Sequence, residues 1–480
     1  MKKTMHSIVN RSLSLTLGVL MSFSLAGCSG YRFMGAASEA QAVKDTTKYE
    51  EVKNILENEW YYGADNPNLD SELTEKALEG MTSFENDPHT MYLPLDRSTD
   101  YSQQLAGNNV GLGVVCYQNA GQPMRLKSIF INSPADEAGL KAGDEILKID
   151  DLDGTGTPLD QIIEYIKGKP NTSVHLTVRR DGQTLEMDLT PAQYDSTVAF
   201  DVEDGYGLVN LSSFSQNSGK DAVEAFKRLE EAGTKNLILD LRGNTGGYLH
   251  AMQTIASAFL PADSVLFKEK LRDGTVREIT VADDSYQANF DHVYILQNGL
   301  TASSSEVLIG ALKDQIPDKV TTIGSKTYGK GTEQLNKVFE DGTTLKYTVA
   351  EWLTPNGTSV NMVGIEPDVP VEVEEYQSVG YRLMNEDEEP IRPDTVNDNA
   401  AALQIFLREL GYPAVRGDNY YSPESEAALR QFQSDNDLET TGEADAKTFA
   451  LLVQKVSEKI NTEGYDSDTV FQKALELMNS

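Results

Sequence analysis

Two stretches of this chain repeat one design, and that design sets the fold class. Leu237-Ile-Leu-Asp-Leu241 is a short run of buried-strand character that enters the glycine-rich turn Arg242-Gly-Asn-Thr-Gly-Gly247 and then a helix from about Tyr248 to Phe259. Val293-Tyr-Ile-Leu296 does the same, passing through Asn298-Gly-Leu-Thr-Ala302 into a helix that starts near Ser303. Strand and helix signals alternate in this way over residues 196–375, which is the pattern of an α/β core. Open α/β sheets carry their functional groups where a strand hands over to a helix N-terminus. The two turns are therefore where chemistry is to be sought.

The second turn carries Ser303-Ser-Ser-Glu306, and one loop and strand later Lys330 sits between Gly329 and Gly331. A serine hydroxyl is a weak nucleophile until an adjacent base takes its proton, and a desolvated lysine serves as such a base. From a reference pKa of about 10.4, Lys330 must fall by roughly 3 units to work near neutral pH, a shift that burial in an apolar pocket supplies. Gln334, four residues on, offers an amide that hydrogen-bonds a neutral amine without protonating it. Glu333 beside it is expected to face solvent. The serine run also fits a helix capping box, with Ser303 as N-cap and Glu306 answering at N3. An imidazole base has few candidates among five histidines: His6 lies in the N-terminal leader, and His250 alone falls close behind the glycine turn. A tetrahedral oxyanion needs backbone N–H donors, and the Ser304 amide, at a helix N-terminus, is one. Asp240 and Arg242 read as ion-pair or turn partners rather than catalysts.

Charge and cysteine usage narrow the setting. Against 41 basic residues stand 75 acidic ones, a formal charge of −34, and such a chain repels nucleic acid. Lys2, Lys3 and Arg11 accompany the apolar stretch Leu13 to Leu25, the pattern of a signal sequence and short for a membrane span. It ends in Leu25-Ala26-Gly27-Cys28, which resembles the bacterial lipoprotein box. That resemblance implies cleavage before Cys28, its lipidation, and a chain anchored to the cell membrane on the extracytoplasmic face. Cys116 is the only other cysteine, so no internal disulfide is expected and a small, buried apolar role suits it. No Cys/His cluster has ligand spacing, and neither a metal nor an organic cofactor is expected.

Residues 29–44 are small and polar, suited to a tether. From Lys48 to about Leu95 apolar residues recur at helical spacing, until Asn86-Asp-Pro-His-Thr-Met-Tyr92 breaks the helix at its proline. Short strands follow, with a turn at Gly111-Leu112-Gly113 and the string Ser133-Pro-Ala-Asp-Glu-Ala-Gly-Leu-Lys-Ala-Gly-Asp-Glu-Ile-Leu-Lys-Ile149. This resembles a PDZ domain, a module that takes an extended peptide onto a sheet edge. The resemblance implies that Gly111, Leu112 and Gly113 form the amide nest for the peptide's C-terminal carboxylate. Beyond a proline- and acid-rich linker, Leu403 to Tyr412, Ala427 to Gln433, Gly442 and Thr448 to Leu452 resemble the peptidoglycan-binding helical module. Periodicity supports a three-helix bundle there; the resemblance supplies the ligand.

In combination, the leader, the PDZ string, the Gly-Asn-Thr-Gly-Gly turn, Ala302 to Glu306 and Gly329-Lys-Gly-Thr-Glu-Gln334 resemble the carboxyl-terminal processing proteases, the tail-specific serine peptidases of family S41. Trp352 to Val360 and Gly364-Ile-Glu-Pro-Asp368 fit the same family, and the resemblance covers about residues 45–375. It implies a multidomain α/β protein: helical N-terminal segment, β-rich PDZ domain, α/β peptidase core of ClpP/crotonase-like type and a small C-terminal three-helix bundle. The expected boundaries are a signal peptide at 1–27, tether and helical segment at 28–97, PDZ domain at 98–190, peptidase core at 191–376, linker at 377–397, helical module at 398–458 and a helical tail at 459–480. The implied activity is endopeptidase cleavage of proteins or peptides recognised by their C-termini. Ser303 is then the nucleophile, Lys330 the base and Gln334 its orienting amide. Gly246, with Gly247 as the neighbouring alternative, joins Ser304 at the oxyanion. The resemblance also implies that the PDZ domain gates the site and that helices at both ends form a homodimer.

Two departures bear on the nucleophile. The family's string is Ser-Ala-Ser-Glu, whereas Ser304 stands in the alanine position, and the gap from Ser303 to Lys330 is two residues longer than usual. The helix frame, with Asp314 at the Leu-Xaa-Asp position, selects Ser303; counting back from the lysine selects Ser305. The extra residues fit the loop from Gln315 to Val320. The rival reading of the whole chain is a catalytically silent, wall-associated peptide-binding adaptor.

Overall fold

The computed structural model describes residues 46–107, 109–118, 122–155, 157, 159–167, 172–203, 205–282, 286–382, 384, 388–463 and 468–480. The expected leader, Cys28 and the tether lie outside the described residues. The chain divides into two compact units, Met1–Leu73 and Thr74–Ser480. In the first, helix Thr46–Asn58 precedes a single 3-10 turn at Tyr61–Gly63, where the rings of Trp60, Tyr61 and Tyr62 stand edge to face.

The centre of the second unit is a run of parallel strands: Tyr206–Leu211, Asn236–Asp240, His292–Gln297, Val320–Gly324 and Val369–Pro370, paired in that order. Leu237, Leu239 and Leu241 join a buried cluster with Phe226, Ile255 and Leu308, from the helices Ser218–Glu231, Leu249–Ser257 and Ser304–Gln315. The intervening Ile238 belongs to a second cluster with Leu208, Leu296 and Ile323, covered by Val470, Phe471 and Ala474 of the last helix, Thr469–Met478. A strand buried on both faces needs apolar residues in succession, which is why Leu237–Leu241 reads as a run rather than an alternation.

A second sheet is wholly antiparallel. Its long strand Thr344–Leu353 pairs with Thr332–Val338, with Met91–Leu93 and with Val265–Leu271, which in turn pairs with Val276–Thr280. Here the sequence reading needs correction, because Met91–Leu93 is a strand inside a region read as broken helix. Its partner lies some 250 residues away, with Met91 opposite Lys346, and local periodicity carries no sign of so distant a pairing. A second correction is the helix Leu95–Ala106, where short strands were expected from residue 98.

The PDZ region has the strands Val114–Tyr117, Met124–Phe130, Glu145–Ile149, Val174–Arg180 and Gln183–Leu189 and the helix Leu159–Lys167, around a core of Leu112, Ile129, Ile146, Ile162, Leu176 and Val178. Cys116 packs partly buried against that core. This sheet is continuous with the central one: Val198–Glu203 pairs with Tyr206–Leu211 on one side and, at Ala199 and Phe200, with Met124–Phe130 on the other. Near the C-terminus, helices Ala400–Glu409, Pro423–Asp435 and Ala446–Glu463 enclose Leu403, Phe406, Leu429, Phe432, Phe449 and Leu452.

Candidate active site

Ser303 is the N-cap of the helix Ser304–Gln315 and has φ 57°, ψ −120°. A non-glycine residue with positive φ is strained, at a cost of about 1–3 kcal/mol, and must be held by its surroundings. Two features hold it. The Ser303 N–H donates to Glu306 Oε2 at 2.9 Å, the carboxylate half of a capping box. On the other side, Gly246 comes so close that a Cβ built there would lie 2.7 Å from Ser303 Cβ. Together they aim the Ser303 hydroxyl into a cavity of about 550 Å³ lined also by Gly246, Gly247, Ser304, Lys330, Gln334 and Trp352.

Lys330 Nζ lies 3.4 Å from Ser303 Oγ and donates to Gln334 Oε1 at 2.5 Å. Burial pulls its pKa down to about 8, with the Lys346 ammonium pushing the same way and Glu306 and Asp87 opposing. The Lys330 carbonyl accepts from Trp352 Nε1 at 2.9 Å, and the Lys330 N–H donates to Glu306 Oε2 at 2.9 Å. Glu306 is fully buried and also accepts from Thr327 Oγ1 at 2.5 Å and the Gly329 N–H at 2.7 Å. One carboxylate thus binds the serine turn to the lysine loop.

The other serines point elsewhere. Ser305 is fully buried and its hydroxyl donates to the Asn244 carbonyl at 3.0 Å; Ser304 Oγ donates to the Gly247 carbonyl at 2.8 Å. The Ser304 N–H has no acceptor among the described residues. The Gly246 N–H, expected as an oxyanion donor, instead donates to Asn244 Oδ1 at 2.9 Å, whereas the Gly247 N–H has no acceptor among the described residues. Asn244 explains the difference: one side chain whose Oδ1 and Nδ2 brace the turn, the latter reaching the Leu211 carbonyl at 2.8 Å. His250 lines the cavity, but its Nε2 lies 3.3 Å from the Gln216 carbonyl and its ring packs beside Tyr248. Glu333 is not solvent-facing as expected; it is half-buried in the cavity wall, and burial, together with the Glu269 carboxyl beside it, raises its pKa.

Asp240 and Arg242 form an ion pair, with Arg242 Nη2 at 2.7 Å from Asp240 Oδ2. Arg242 also reaches Asp468 at 2.7 Å, the N-cap of the last helix, so the glycine turn is tied to the C-terminal tail. Three contributors near the site were not visible in the sequence: Lys346, Thr348 and Asp87. Lys346 and Thr348 alternate along one strand, and that spacing was the available signal. Asp87 came to notice only as part of a helix break.

At the PDZ turn, Gly111 ends the strand Asn109–Gly111 and Gly113 precedes Val114–Tyr117. The Leu112 and Gly113 carbonyls accept from the Ala135 N–H at 2.8 Å and the Phe130 N–H at 2.9 Å, while their own N–H groups have no acceptor among the described residues. Helix Ala446–Glu463 lies against the strand Val114–Tyr117.

The sequence matches the family model for Peptidase family S41 over residues 205–371, a PDZ domain model over residues 129–180 and a domain model described as peptidoglycan binding over residues 396–452. It is 32% identical over 439 residues to a Staphylococcus haemolyticus protein named "Probable CtpA-like serine protease", covering 91% of this chain and 85% of that one. It is 29% identical over 455 residues to the carboxy-terminal processing protease CtpB of Bacillus subtilis, covering 92% of this chain and 91% of that one. Among solved structures, the photosystem II D1 C-terminal processing protease is similar at 26% identity and a TM-score of 0.38, covering 68% of this chain and 86% of that one. This chain therefore belongs to peptidase family S41, as a PDZ-containing serine peptidase of the carboxy-terminal processing type.

Proposed function

We propose that the protein is a serine endopeptidase that cleaves substrates recognised by their C-terminal tails, using Ser303 and Lys330 as a catalytic dyad. The observation that carries this reading is the convergence of the Lys330 amine on Ser303 Oγ at 3.4 Å and Gln334 Oε1 at 2.5 Å. Neutral Lys330 takes the Ser303 proton as Oγ attacks the scissile carbonyl. The resulting ammonium, held by Gln334 Oε1, returns the proton to the leaving amine, and an ester on Ser303 remains. Lys330, neutral again, then activates the water that hydrolyses the ester. The Ser304 N–H is one donor to the tetrahedral oxyanion. At the glycine turn the Gly247 N–H is free for the second role, while Gly246 would first have to release Asn244 Oδ1. Removing one such donor typically costs about 10²–10³ in kcat.

The free amides of Leu112 and Gly113 support carboxylate binding at the PDZ turn, and the C-terminal module supports association with peptidoglycan. The Leu13 to Leu25 stretch and Cys28 support a lipid-anchored protein on the extracytoplasmic face of a bacterial membrane. Helices near both ends of the chain support a homodimer. The test is digestion of an internally quenched peptide by the purified wild-type protein and its Ser303→Ala, Lys330→Ala and Ser305→Ala variants. Cleavage by the wild type and Ser305→Ala only is expected. Equal cleavage by all four refutes the dyad, and no cleavage by the wild type with intact peptide binding favours the adaptor. Amidating the peptide's C-terminus is expected to raise KM if the Gly111–Gly113 turn reads the carboxylate.

A further inference from the structure

Behind Gln334 runs a chain of hydrogen bonds whose direction is set at its far end. Gln334 Nε2 donates to Thr332 Oγ1 at 2.9 Å and to Thr348 Oγ1 at 3.2 Å. Thr348 Oγ1 donates in turn to Asp87 Oδ1 at 3.0 Å. Asp87 also accepts from Thr90 Oγ1 at 2.6 Å and from the N–H groups of His89 at 3.3 Å and Thr90 at 3.2 Å. Thr90 Oγ1 accepts from the Thr348 N–H at 3.0 Å, which pins the Asp87–Thr90 turn against the strand Thr344–Leu353. The pairing register of that strand with Thr332–Val338 shifts between Glu333 and Gln334, leaving Gln334 opposite Thr348. Irregularities of this kind recur beside active sites, where they re-aim a side chain.

An amide side chain has two orientations of similar shape and opposite polarity. With Nε2 toward the amine, Gln334 would offer Lys330 two N–H groups and no acceptor, and the Lys330 ammonium would have lost its partner. We infer that Asp87, through Thr348, is a positioning residue that fixes the polarity of the Gln334 amide and so presents Oε1 to the catalytic lysine. An ionised carboxylate only accepts. Thr348 must therefore spend its single proton on Asp87, which leaves its lone pairs for the Gln334 N–H. Asp87 is ionised because, although burial alone would raise its pKa, the hydrogen bonds from Thr90, Thr348 and the two backbone N–H groups outweigh burial and hold it below its usual value. The inference rests on the Ser303–Lys330 reading and adds to it a residue more than 200 positions away in sequence from Ser303.

The geometry separates orientation from charge. In Asp87→Asn the amide oxygen still accepts from His89, Thr90 and Thr348, so polarity survives although the charge is lost. Asp87→Ala and Thr348→Val remove that constraint and leave the Gln334 Nε2 only Thr332 Oγ1, a hydroxyl able to donate as well as accept. The experiment measures kcat, KM and the pH profile of peptide cleavage for these three variants, for the Asp87→Ala/Thr348→Val double variant and for Ser303→Ala and Lys330→Ala, each checked for the native near-ultraviolet circular dichroism spectrum. Asp87→Ala and Thr348→Val are expected to lose about tenfold in kcat with KM unchanged, as befits an interaction that acts on the base rather than on substrate binding. The double variant is expected to be no worse than either single one, because both break the same chain. Asp87→Asn is expected to keep kcat within about twofold while its rising limb moves to lower pH, since Asp87 raises the Lys330 pKa. Wild-type kcat in natively folded Thr348→Val, additive losses in the double variant, or Asp87→Asn as impaired as Asp87→Ala overturns the inference. Activity in Ser303→Ala or Lys330→Ala instead overturns the dyad on which it stands.

Discussion

In the proposed dyad, burial and one like charge bring the Lys330 amine toward neutrality, and Lys346 is that charge. It lines the cavity with its ammonium 5.1 Å from the centre of the Tyr101 ring, and it pushes the Lys330 pKa downward alongside burial. Lys346→Met keeps most of the stem and removes the charge. Lys330 then retains burial as its lowering influence but has no like charge to offset Glu306 and Asp87, so its pKa rises above the present value of about 8. At pH 7 a base of that pKa is neutral in roughly one molecule in eleven, against roughly one in 3,000 for an unperturbed lysine. A rise of about half to one unit, the size expected for one like charge removed from a partly solvated pocket, cuts the neutral fraction about three- to tenfold. The assay is kcat/KM for an internally quenched peptide from about pH 6 to about pH 10, which reports ionisation of the free enzyme. In the proposed dyad neutral amine is the active form, so activity is expected to rise with pH, with a midpoint near 8 in the wild type. The variant's limb is expected to move to higher pH, costing three- to tenfold near pH 7 by the same pKa change and little on the alkaline plateau. A limb that stays in place, or moves to lower pH, refutes the electrostatic role of Lys346.

Three further outcomes follow from the packing. A Cβ at Gly331 would lie 2.4 Å from the Asn361 backbone nitrogen, so Gly331→Ala must displace the lysine loop; a loss of about 1–3 kcal/mol in denaturant unfolding and of most activity is expected, and a wild-type melt with wild-type activity counts against this packing. Arg242→Met leaves the carboxylates of Asp240 and Asp468 without their shared cation, an expected loss of about 3–5 kcal/mol that a thermal melt reads directly. Burial would raise the Asp468 pKa, but Arg242, the Phe471 N–H and Lys127 together outweigh it and the net direction is down. Its contribution to stability is thus full above the ordinary carboxylate pKa of about 3.9 and drains as pH falls below it. Urea titrations of the wild type and of Asp468→Asn should converge in acid; curves that stay parallel contradict the pair.

What the sequence disclosed follows from the range of each signal. The runs at Leu237–Leu241 and Val293–Leu296, the PDZ string and the helical periodicity beyond residue 400 are local, and they located the layers. The Ser303 turn and the lysine between two glycines were legible for the same reason. Met91–Leu93 was not, because a three-residue strand has no period to detect and its partner is remote. The engagement of the Gly246 N–H with Asn244 Oδ1 was out of reach for a subtler reason. A Gly-Asn-Thr-Gly-Gly turn shows that backbone amides converge, but which amide stays free depends on where the Asn244 side chain turns. Glu333 was expected in solvent because charged side chains are mostly exposed. Both Glu333 and Gln334 line the cavity, at a register shift that puts Glu333 opposite Ala350 but Gln334 opposite Thr348.

The spacing between serine and lysine raises a question that Glu306 answers. Two extra residues in that interval would matter if chain length set the distance between nucleophile and base. It does not, because both ends are fastened to one carboxylate. Glu306 Oε2 accepts from the N–H groups of Ser303 and Lys330, each at 2.9 Å, while Oε1 takes Thr327 Oγ1 and the Gly329 N–H. The separation of Ser303 from Lys330 is therefore the span of a carboxylate plus two short backbone segments, and the path between them is free to lengthen. On the far side of the helix Pro317–Lys319 forms a 3-10 turn before the strand Val320–Gly324, and such residues fit there. The helix position of Glu306, three residues after Ser303, is then what favours Ser303 as the nucleophile of the proposed dyad: a frame moved to Ser305 would place its hydroxyl on the Asn244 carbonyl and leave the carboxylate one residue after it rather than three.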